Sequence, residues 1–354
     1  MTPPPIDQFI DSAHPTDAIT GYALLLQKWL HEAGIGSTLY ARTIAPSMRR
    51  VAQPLHRDRG GAGRVALYHH SIGSPIVDHL LAQDGPLVVI YHNVTPPAFV
   101  ADSNPALAAK LLAGQQQLQP LAQHAILGVA VSAFNEADLR GANFRQTCLL
   151  PLALSEAAFD QPPLPAILRR FADGEWVLFV GRIVPNKRQE DLVKLLHHLR
   201  KRRPRARLAL VGEGWDPTYQ RWLQQQIKGL GLDDAVWLAG RLSQAELVNC
   251  FRAASLYLSM SEHEGVGLPL IEAMHLGLPV LAYAADGVAE TVGEGGVLFH
   301  RKELAALAEL VTLLLDDAAL RRQLIAAGQR RAADFSEAAV RRQFMALLRM
   351  VKGE

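Results

Sequence analysis

Residues 261–274, SEHEGVGLPLIEAM, hold two carboxylates, Glu264 and Glu272, on either side of a run of glycines, a proline and aliphatics. In one continuous helix, eight residues would turn the second carboxylate about 80° from the first and lift it roughly 12 Å along the axis, so the two would not meet. Gly265 and Gly267 disfavour that helix, while Pro269 suits a first helical position, where its missing N–H leaves nothing unsatisfied. The spacing therefore predicts a strand over residues 254–260, a glycine loop carrying Glu264, and a short helix carrying Glu272 that stops at Gly277. Backbone N–H groups at the start of such a helix suit an anion such as phosphate, and carboxylates beside it accept from sugar or ribose hydroxyls. A sugar attached to a phosphate fits both halves.

A second constellation lies in FVGRIVPNKRQEDL, residues 179–192, which leaves an apolar strand at Gly181, turns at Pro185-Asn186 and enters a helix. Arg182 and Lys187 flank the turn, where two cations and helix N–H groups neutralise a diphosphate; alone, they would read as two exposed surface bases. His92 follows the apolar run LVVIY, and at a strand end it either orients a sugar hydroxyl or is a satisfied structural residue. His69, His70 and His14 are weaker candidates, since thirteen histidines in one chain cannot all be catalytic. No Asp-x-Asp pair offers a bridge for a divalent ion, and neither a Gly-x-Gly-x-x-Gly fingerprint nor a Gly-Lys-Ser/Thr phosphate loop is present. A dinucleotide dehydrogenase and an NTPase are disfavoured.

These residues need strands to present them. In the first half the candidates are STLYA, RVALYHH, PLVVIYH, AILGVAVS and TCLLPL, with helical patterns between most of them. The first helix spans about 17–33, capped by Thr16 or Asp17 and ended by Gly34. Residues 155–171, SEAAFDQPPLPAILRRF, have the composition of a linker. After them WVLFVGR, ARLALVGEG, AVWLAG, SLYLSM, PVLAY and GVLF alternate with helices. Short aliphatic strands alternating with helices predict parallel sheets covered on both faces, hence an α/β chain of two doubly wound domains with a cleft between them. Ligands of such sheets bind beyond the carboxyl ends of strands, at Gly181-Arg182, residues 212–214, Gly240-Arg241 and residues 261–267 in the second half, and at His69-His70 and His92-Asn93 in the first. The last stretch places Val340, Phe344, Leu347, Leu348 and Val351 on one helical face, to dock on the chain's own domain or to lie on a membrane surface.

The chain of 354 residues, 49% hydrophobic, can build two ordinary cores, and its formal charge of +2 does not point to nucleic acid. The locally basic HHLRKRRPRAR, residues 197–207, reads as a solvated helix end or as an anionic-membrane patch. Cys148 and Cys250 lack metal-ligand spacing and fit a reducing cytoplasm. The first residues have no cationic start or apolar core of a secretory signal, and no apolar run approaches a bilayer span.

The combination of GRIVPNK, LVGEG, SEHEGVGLPLIEAM and DGVAETVGEGGVLF resembles the C-terminal half of glycosyltransferase family 4, with Glu264 and Glu272 on that family's Glu-x7-Glu motif. The first half resembles it more loosely, through DAITGYALLLQKWLHEAG, VVIYHN and VSAFNEADL. The resemblance implies a GT-B fold of two Rossmann-like domains: residues 1–160 binding the acceptor, 161–335 binding the donor nucleotide, and 336–354 forming a last helix that packs back on the first domain. It implies retaining transfer of a hexose-type sugar from a UDP- or GDP-linked donor to a saccharide or lipid-linked acceptor, without a metal or other cofactor. By position, Arg182 and Lys187 would hold the diphosphate, Glu272 the ribose and Glu264 the transferred sugar. Backbone groups of Gly265, Val266, Gly267 and Leu268 would serve the sugar and phosphate, those near Gly240 and Arg241 the base, and His92 the donor sugar. The implied setting is the cytoplasm, with peripheral contact at the inner membrane face and no nucleic-acid partner. The chain departs from the family pattern at its start, where IDQFIDSAHPTDAITG stands in place of a hydrophobic strand and a Gly-Gly loop. Two other readings compete: a retaining glycosidase, which needs its carboxyls about 5 Å apart and leaves Arg182 and Lys187 idle, and a catalytically silent GT-B module that binds a nucleotide sugar or scaffolds a partner.

Overall fold

The computed structural model describes residues 4–352 apart from 16 and 62. Residues 4–98, 105–153 and 340–352 form one compact unit, and residues 99–104 and 154–339 form another. The first unit runs β1 (Ile6–Ala13), α1 (Ala18–Glu32), β2 (Leu39–Ile44), β3 (Gln53–Pro54), β4 (Val65–His70), α2 (Ile76–Leu81), β5 (Leu87–Tyr91), α3 (Pro105–His124), β6 (Ala125–Ala130), α4 (Ala133–Gly141) and β7 (Thr147–Leu149). Its seven strands are parallel in the order β3-β2-β1-β4-β5-β6-β7, so the direction of winding reverses between β1 and β4.

Strand β1 corrects the reading of the amino end. The sequence IDQFIDSA looks too polar for a central strand, yet it lies between β2 and β4. Ile6, Phe9 and Ile10 supply the apolar side chains, and each intervening polar group has a partner. The Asp7 carboxylate accepts from the Thr38 N–H at 2.8 Å, Asp11 pairs with Arg42 at 2.7 Å, and the Gln8 amide is bonded at both ends. A buried polar group costs stability only when it lacks a partner, so three polar residues are accommodated in the middle of the sheet. Helix α1 is capped by Asp17, whose carboxylate accepts from the Thr20 N–H at 2.9 Å; Thr16, the other cap considered, lies outside the described residues.

The second unit runs α5 (Pro165–Ala172), β8 (Glu175–Val180), α6 (Gln189–Arg200), β9 (Ala206–Val211), α7 (Pro217–Gly229), β10 (Val236–Gly240), α8 (Gln244–Ala253), β11 (Leu256–Ser259), α9 (Leu268–His275), β12 (Val280–Tyr283), α10 (Val288–Val292), β13 (Val297–Phe299), α11 (Leu304–Asp316) and α12 (Ala318–Ala332). All six strands are parallel, in the order β10-β9-β8-β11-β12-β13, with the winding reversal between β8 and β11. Its core packs Val177, Phe179, Leu208, Leu210, Leu256, Leu258 and Leu281 of the sheet against Leu192, Leu196 and Leu199 of α6. Burying each such side chain contributes about 2 kcal/mol. The passage with linker composition is in part helical: α5 opens on Pro165 and buries Ile167 and Phe171, the latter ring 4.8 Å from that of Trp176. Proline at a helix start looks the same in composition as proline in a linker.

Helix α13 (Glu337–Lys352) buries Val340, Phe344, Leu347 and Leu348. The Phe344 ring lies 5.9 Å from Trp29 of α1, and Arg341 pairs with Glu32 at 2.8 Å. Its apolar stripe is covered by its own chain and is not free to lie on a membrane. Among the described residues no helix is long and apolar enough to cross a membrane.

Candidate functional site

In the second unit, β8 and β11 pair side by side at the winding reversal, so the loops after them are neighbours although far apart in sequence. The loop after β8 carries Arg182 and Lys187, and the loop after β11 carries residues 261–267. They are stitched together by the Glu262 N–H donating to the Asn186 carbonyl at 2.8 Å and the Asn186 side chain donating to the His263 carbonyl at 3.3 Å. Lys187 Nζ reaches across to Glu264 Oε1 at 2.6 Å and donates to the His263 carbonyl at 3.2 Å. Two of its three N–H donors are thus engaged, and one remains for an anion.

Arg182 lies with its guanidinium 4.2 Å from the centre of the Trp215 ring, which presses it flat and limits its rotamers. Trp215 follows Gly212 and Gly214, and Gly212 is obligatory: it sits at φ 152°, and a Cβ there would lie 1.9 Å from the Gly181 carbonyl oxygen. Gly240 ends β10 at φ 64°, and its carbonyl accepts from the Gly212 N–H at 2.9 Å. Arg241 approaches Glu213 at 4.0 Å.

The glycine loop ends at Gly267, which caps α9 at φ 78°, ψ 62°, with Pro269 in the first turn. Leu268 is the first helical residue, and Val266 is buried. This is the strand, loop and helix expected from the sequence. Behind the loop stands the turn after β12: the Gly287 N–H donates to the Glu264 carbonyl at 3.1 Å, and a Cβ on Gly287 would sit 2.1 Å from the Gly265 carbonyl oxygen. Asp286, held at φ 48°, pairs with His263 Nδ1 at 2.6 Å. Burial holds the His263 pKa below its ordinary value, with Asp286 opposing. The Phe99 ring lies 6.0 Å from the His263 ring.

Glu272, one turn into α9, differs from every other carboxylate of the loop. Among the described residues its side chain has no hydrogen-bond or ion-pair partner, and burial alone pushes its pKa up to about 7. Glu264 and Glu272 therefore do different work: the first is paired with Lys187, while the second is a half-buried carboxyl without a donor.

In the first unit, His69 is the penultimate residue of β4 and His92 follows β5, its neighbour in the sheet. Their rings stack 5.2 Å apart at 15°, with His69 Nδ1 2.9 Å from His92 Nε2, and Tyr22 meets both edge-on. Burial lowers the pKa of His92 to about 3, that of His70 to about 4, and that of His69 well below the usual imidazole range. All three imidazoles are neutral at physiological pH. His70 is a structural residue, bonded through Nε2 to the Gly114 carbonyl at 2.8 Å and through Nδ1 to the Tyr68 hydroxyl at 3.2 Å. The chain leaves β5 through Asn93, at φ 75°, whose amide donates to Asn135 Oδ1 at 2.9 Å.

Reasoning from sequence missed Trp215, His263 with Asp286, and Gln8. The signal for Trp215 was present, an aromatic directly after a glycine turn at a strand end. The partners of His263 and Gln8 lie in distant segments. The basic run 197–207 is neutralised by neighbours: Arg203 bridges Glu175 and Asp316, Arg205 and Arg207 approach Asp173, and Arg202 meets Glu309. Arg202, Arg203 and Arg205 line a cavity of about 540 Å³ at the amino ends of the strands, the opposite end of the sheet from Glu264.

Comparison with known proteins gives this geometry a context. The chain is 31% identical over 274 residues to a D-inositol 3-phosphate glycosyltransferase of Kineococcus radiotolerans, covering 71% of this chain and 63% of that protein. It is 34% identical over 162 residues to a glycogen synthase of Mycobacterium tuberculosis, covering 45% of this chain and 38% of that one. The chain thus spans less than two thirds of the length of these curated relatives. Among solved structures, a sucrose-phosphate synthase from Thermosynechococcus elongatus superposes with a TM-score of 0.79 at 22% identity, over 99% of both chains. Anabaena HepE in complex with UDP-glucose superposes with a TM-score of 0.75 at 19% identity, over 97% of this chain and 98% of that one. The fold is therefore GT-B, two Rossmann-like α/β units with parallel sheets, and residues 160–331, which carry Arg182, Lys187, Glu264 and Glu272, match the family model of glycosyl transferases group 1.

Proposed function

We propose that the protein is a retaining glycosyltransferase that moves a hexose-type sugar from a nucleotide-diphospho-sugar, UDP- or GDP-linked, to a saccharide or lipid-linked acceptor. The observation that carries this reading is the division of labour at the second unit's winding reversal. Two cations, Arg182 and Lys187, one held by a tryptophan face and one by a carboxylate, stand with a helix N-terminus and a carboxyl lacking any donor. A diphosphate suits the cations, and vicinal ribose hydroxyls suit Glu272. Glu264 accepts from hydroxyls of the transferred sugar while aiming Lys187, and the N–H groups of residues 265–268 serve the sugar and phosphate. Gly240 and Arg241 border the base. The role proposed for His92 is a hydrogen bond to a hydroxyl of the donor sugar.

In the reaction the bond between the sugar carbon and the diphosphate oxygen breaks, the acceptor oxygen bonds to that carbon on the same face, and the departing phosphoryl oxygen takes the acceptor hydroxyl's proton. Arg182 and Lys187 stabilise the charge that develops on that oxygen. With those groups in place the transfer runs without a metal, and the protein works at the cytoplasmic side of a membrane or in the cytoplasm.

Calorimetric titration with UDP, GDP, ADP and their common sugar conjugates, with and without EDTA, tests this. The expected result is selective binding of one nucleotide, insensitive to EDTA and lost in Arg182→Ala. Absence of binding to every nucleotide overturns the transferase reading and leaves a scaffold; binding without turnover on a broad acceptor panel leaves a silent nucleotide-sugar module.

A further inference from the structure

The first unit contains a chain of hydrogen bonds whose direction is fixed at its far end. Gln8, fully buried in β1, donates from Nε2 to the Ala23 carbonyl at 2.8 Å. A carbonyl only accepts, so the amide cannot be turned round without setting two oxygens 2.8 Å apart. Gln8 Oε1 therefore faces His69 Nε2, 2.9 Å away, and that nitrogen must carry the proton. A neutral imidazole has one N–H and one lone pair, so His69 Nδ1 is the acceptor. It lies 2.9 Å from His92 Nε2, which must in turn carry its proton, since two bare lone pairs at that distance would repel. What is left to His92 is Nδ1, a lone pair with no hydrogen-bond partner among the described residues.

Building on the proposed function, in which His92 meets the donor sugar, we infer that Gln8 and His69 are positioning residues that lock His92 in the Nε2–H tautomer, so that its Nδ1 accepts a hydrogen bond from a sugar hydroxyl. The device selects for chemistry: a hydroxyl can donate to that lone pair, whereas a carboxylate or a phosphoryl oxygen offers only further lone pairs and is repelled. The group seen by His92 is accordingly a neutral hydroxyl-bearing sugar position and not the carboxylate of a uronic acid. Tyr22, edge-on to both rings and anchored by its hydroxyl to the Pro151 carbonyl at 3.2 Å, keeps the stack from rotating out of register.

The test is nitrogen NMR on the full chain labelled with 15N-histidine, His92 being assigned by its loss in His92→Asn. The expected spectrum shows His92 with a protonated Nε2, a bare Nδ1 and a coupling across the hydrogen bond to His69 Nδ1. His69→Phe keeps the stacking but removes the acceptor, and should turn the single tautomer into a mixture. The same variant should lower transfer turnover about tenfold, the size of one hydrogen bond, with nucleotide affinity kept. A wild-type His92 protonated at Nδ1 or at both nitrogens overturns the inference, and that result is available even if the variant fails to fold. So does a His69→Phe protein that keeps a single Nε2–H tautomer or full turnover, or equal use of a hexose donor and the matching uronic acid donor. The tautomer is read on the free protein, so its failure is distinct from a failure to bind any nucleotide sugar, which would sink the functional reading instead.

Discussion

If Glu272 binds ribose hydroxyls, nucleotide-sugar binding must release a proton. In the free protein burial holds the Glu272 pKa at about 7 against an ordinary value of 4.5, with no donor to favour the charged form. Two ribose hydroxyls supply that donor and favour the carboxylate over the acid, which brings the pKa back toward its ordinary value. At pH 6.5 a group of pKa about 7 is roughly three-quarters protonated, and one near 4.5 is almost fully ionised, so binding releases about 0.75 of a proton. The full shift of about 2.5 units corresponds to some 3 kcal/mol of coupling between deprotonation and binding, an upper bound for a half-buried group.

The assay is titration calorimetry with a nucleotide sugar, whose diphosphate diester does not itself titrate in this window, in buffers of different ionisation enthalpy. The slope of observed enthalpy against buffer enthalpy counts the released protons directly. It should be close to three-quarters at pH 6.5, fall toward zero by pH 8, and vanish in Glu272→Gln. Affinity should strengthen as pH rises from 5 to 7 and then level off. The same raised pKa has a stability consequence of opposite sense: the folded state holds a proton that the unfolded chain releases between about pH 4.5 and 7. Stability from this group is full below that window and is lost as pH rises through it, and Glu272→Gln should remove that slope. A zero proton count at pH 6.5 in wild type, or a count that survives in Glu272→Gln, refutes the assignment.

Three further outcomes follow, two from contacts around the site and one from the first unit's core. Glu264→Gln removes the charge that holds Lys187 at 2.6 Å and the acceptor for the sugar, so turnover should fall by about tenfold or more, with nucleotide affinity changed less; equal, mild losses in both would sink the separate roles of the two glutamates. Gly287→Ala places a Cβ 2.1 Å from the Gly265 carbonyl oxygen, and should displace the glycine loop, lower Tm and weaken nucleotide binding together; a variant with unchanged binding would show that the loop is not held from behind. Phe344→Ala empties a fully buried site against Trp29, and urea unfolding should show a loss of about 3–5 kcal/mol; a loss under about 1 kcal/mol would mean that α13 is not part of the first unit's core.

The second unit was largely legible in the sequence because its signals are local. Aliphatic runs of four to six residues make parallel strands, and Gly267, Pro269 and Gly277 mark the start and end of α9 within a dozen positions. The pairing of Lys187 with Glu264 was not legible: it depends on β8 and β11 being adjacent, which strand order decides and spacing along the chain does not. The first unit shows the opposite case. A polar residue in the middle of a strand counts against that strand in any reading by pattern, and IDQFIDSA is not among the strands that the sequence predicts. Yet Gln8 is polar there because two partners, the Ala23 carbonyl and His69, wait for it across α1 and β4. Replacing it by leucine would improve the hydrophobic pattern while leaving the buried His69 Nε2 without a partner, a cost of about 1–3 kcal/mol. A residue that weakens the strand signal but satisfies two groups on neighbouring elements is better explained by what it orients than by the sheet it sits in, and here the chain of orientation ends at His92 Nδ1, which has no hydrogen-bond partner among the described residues.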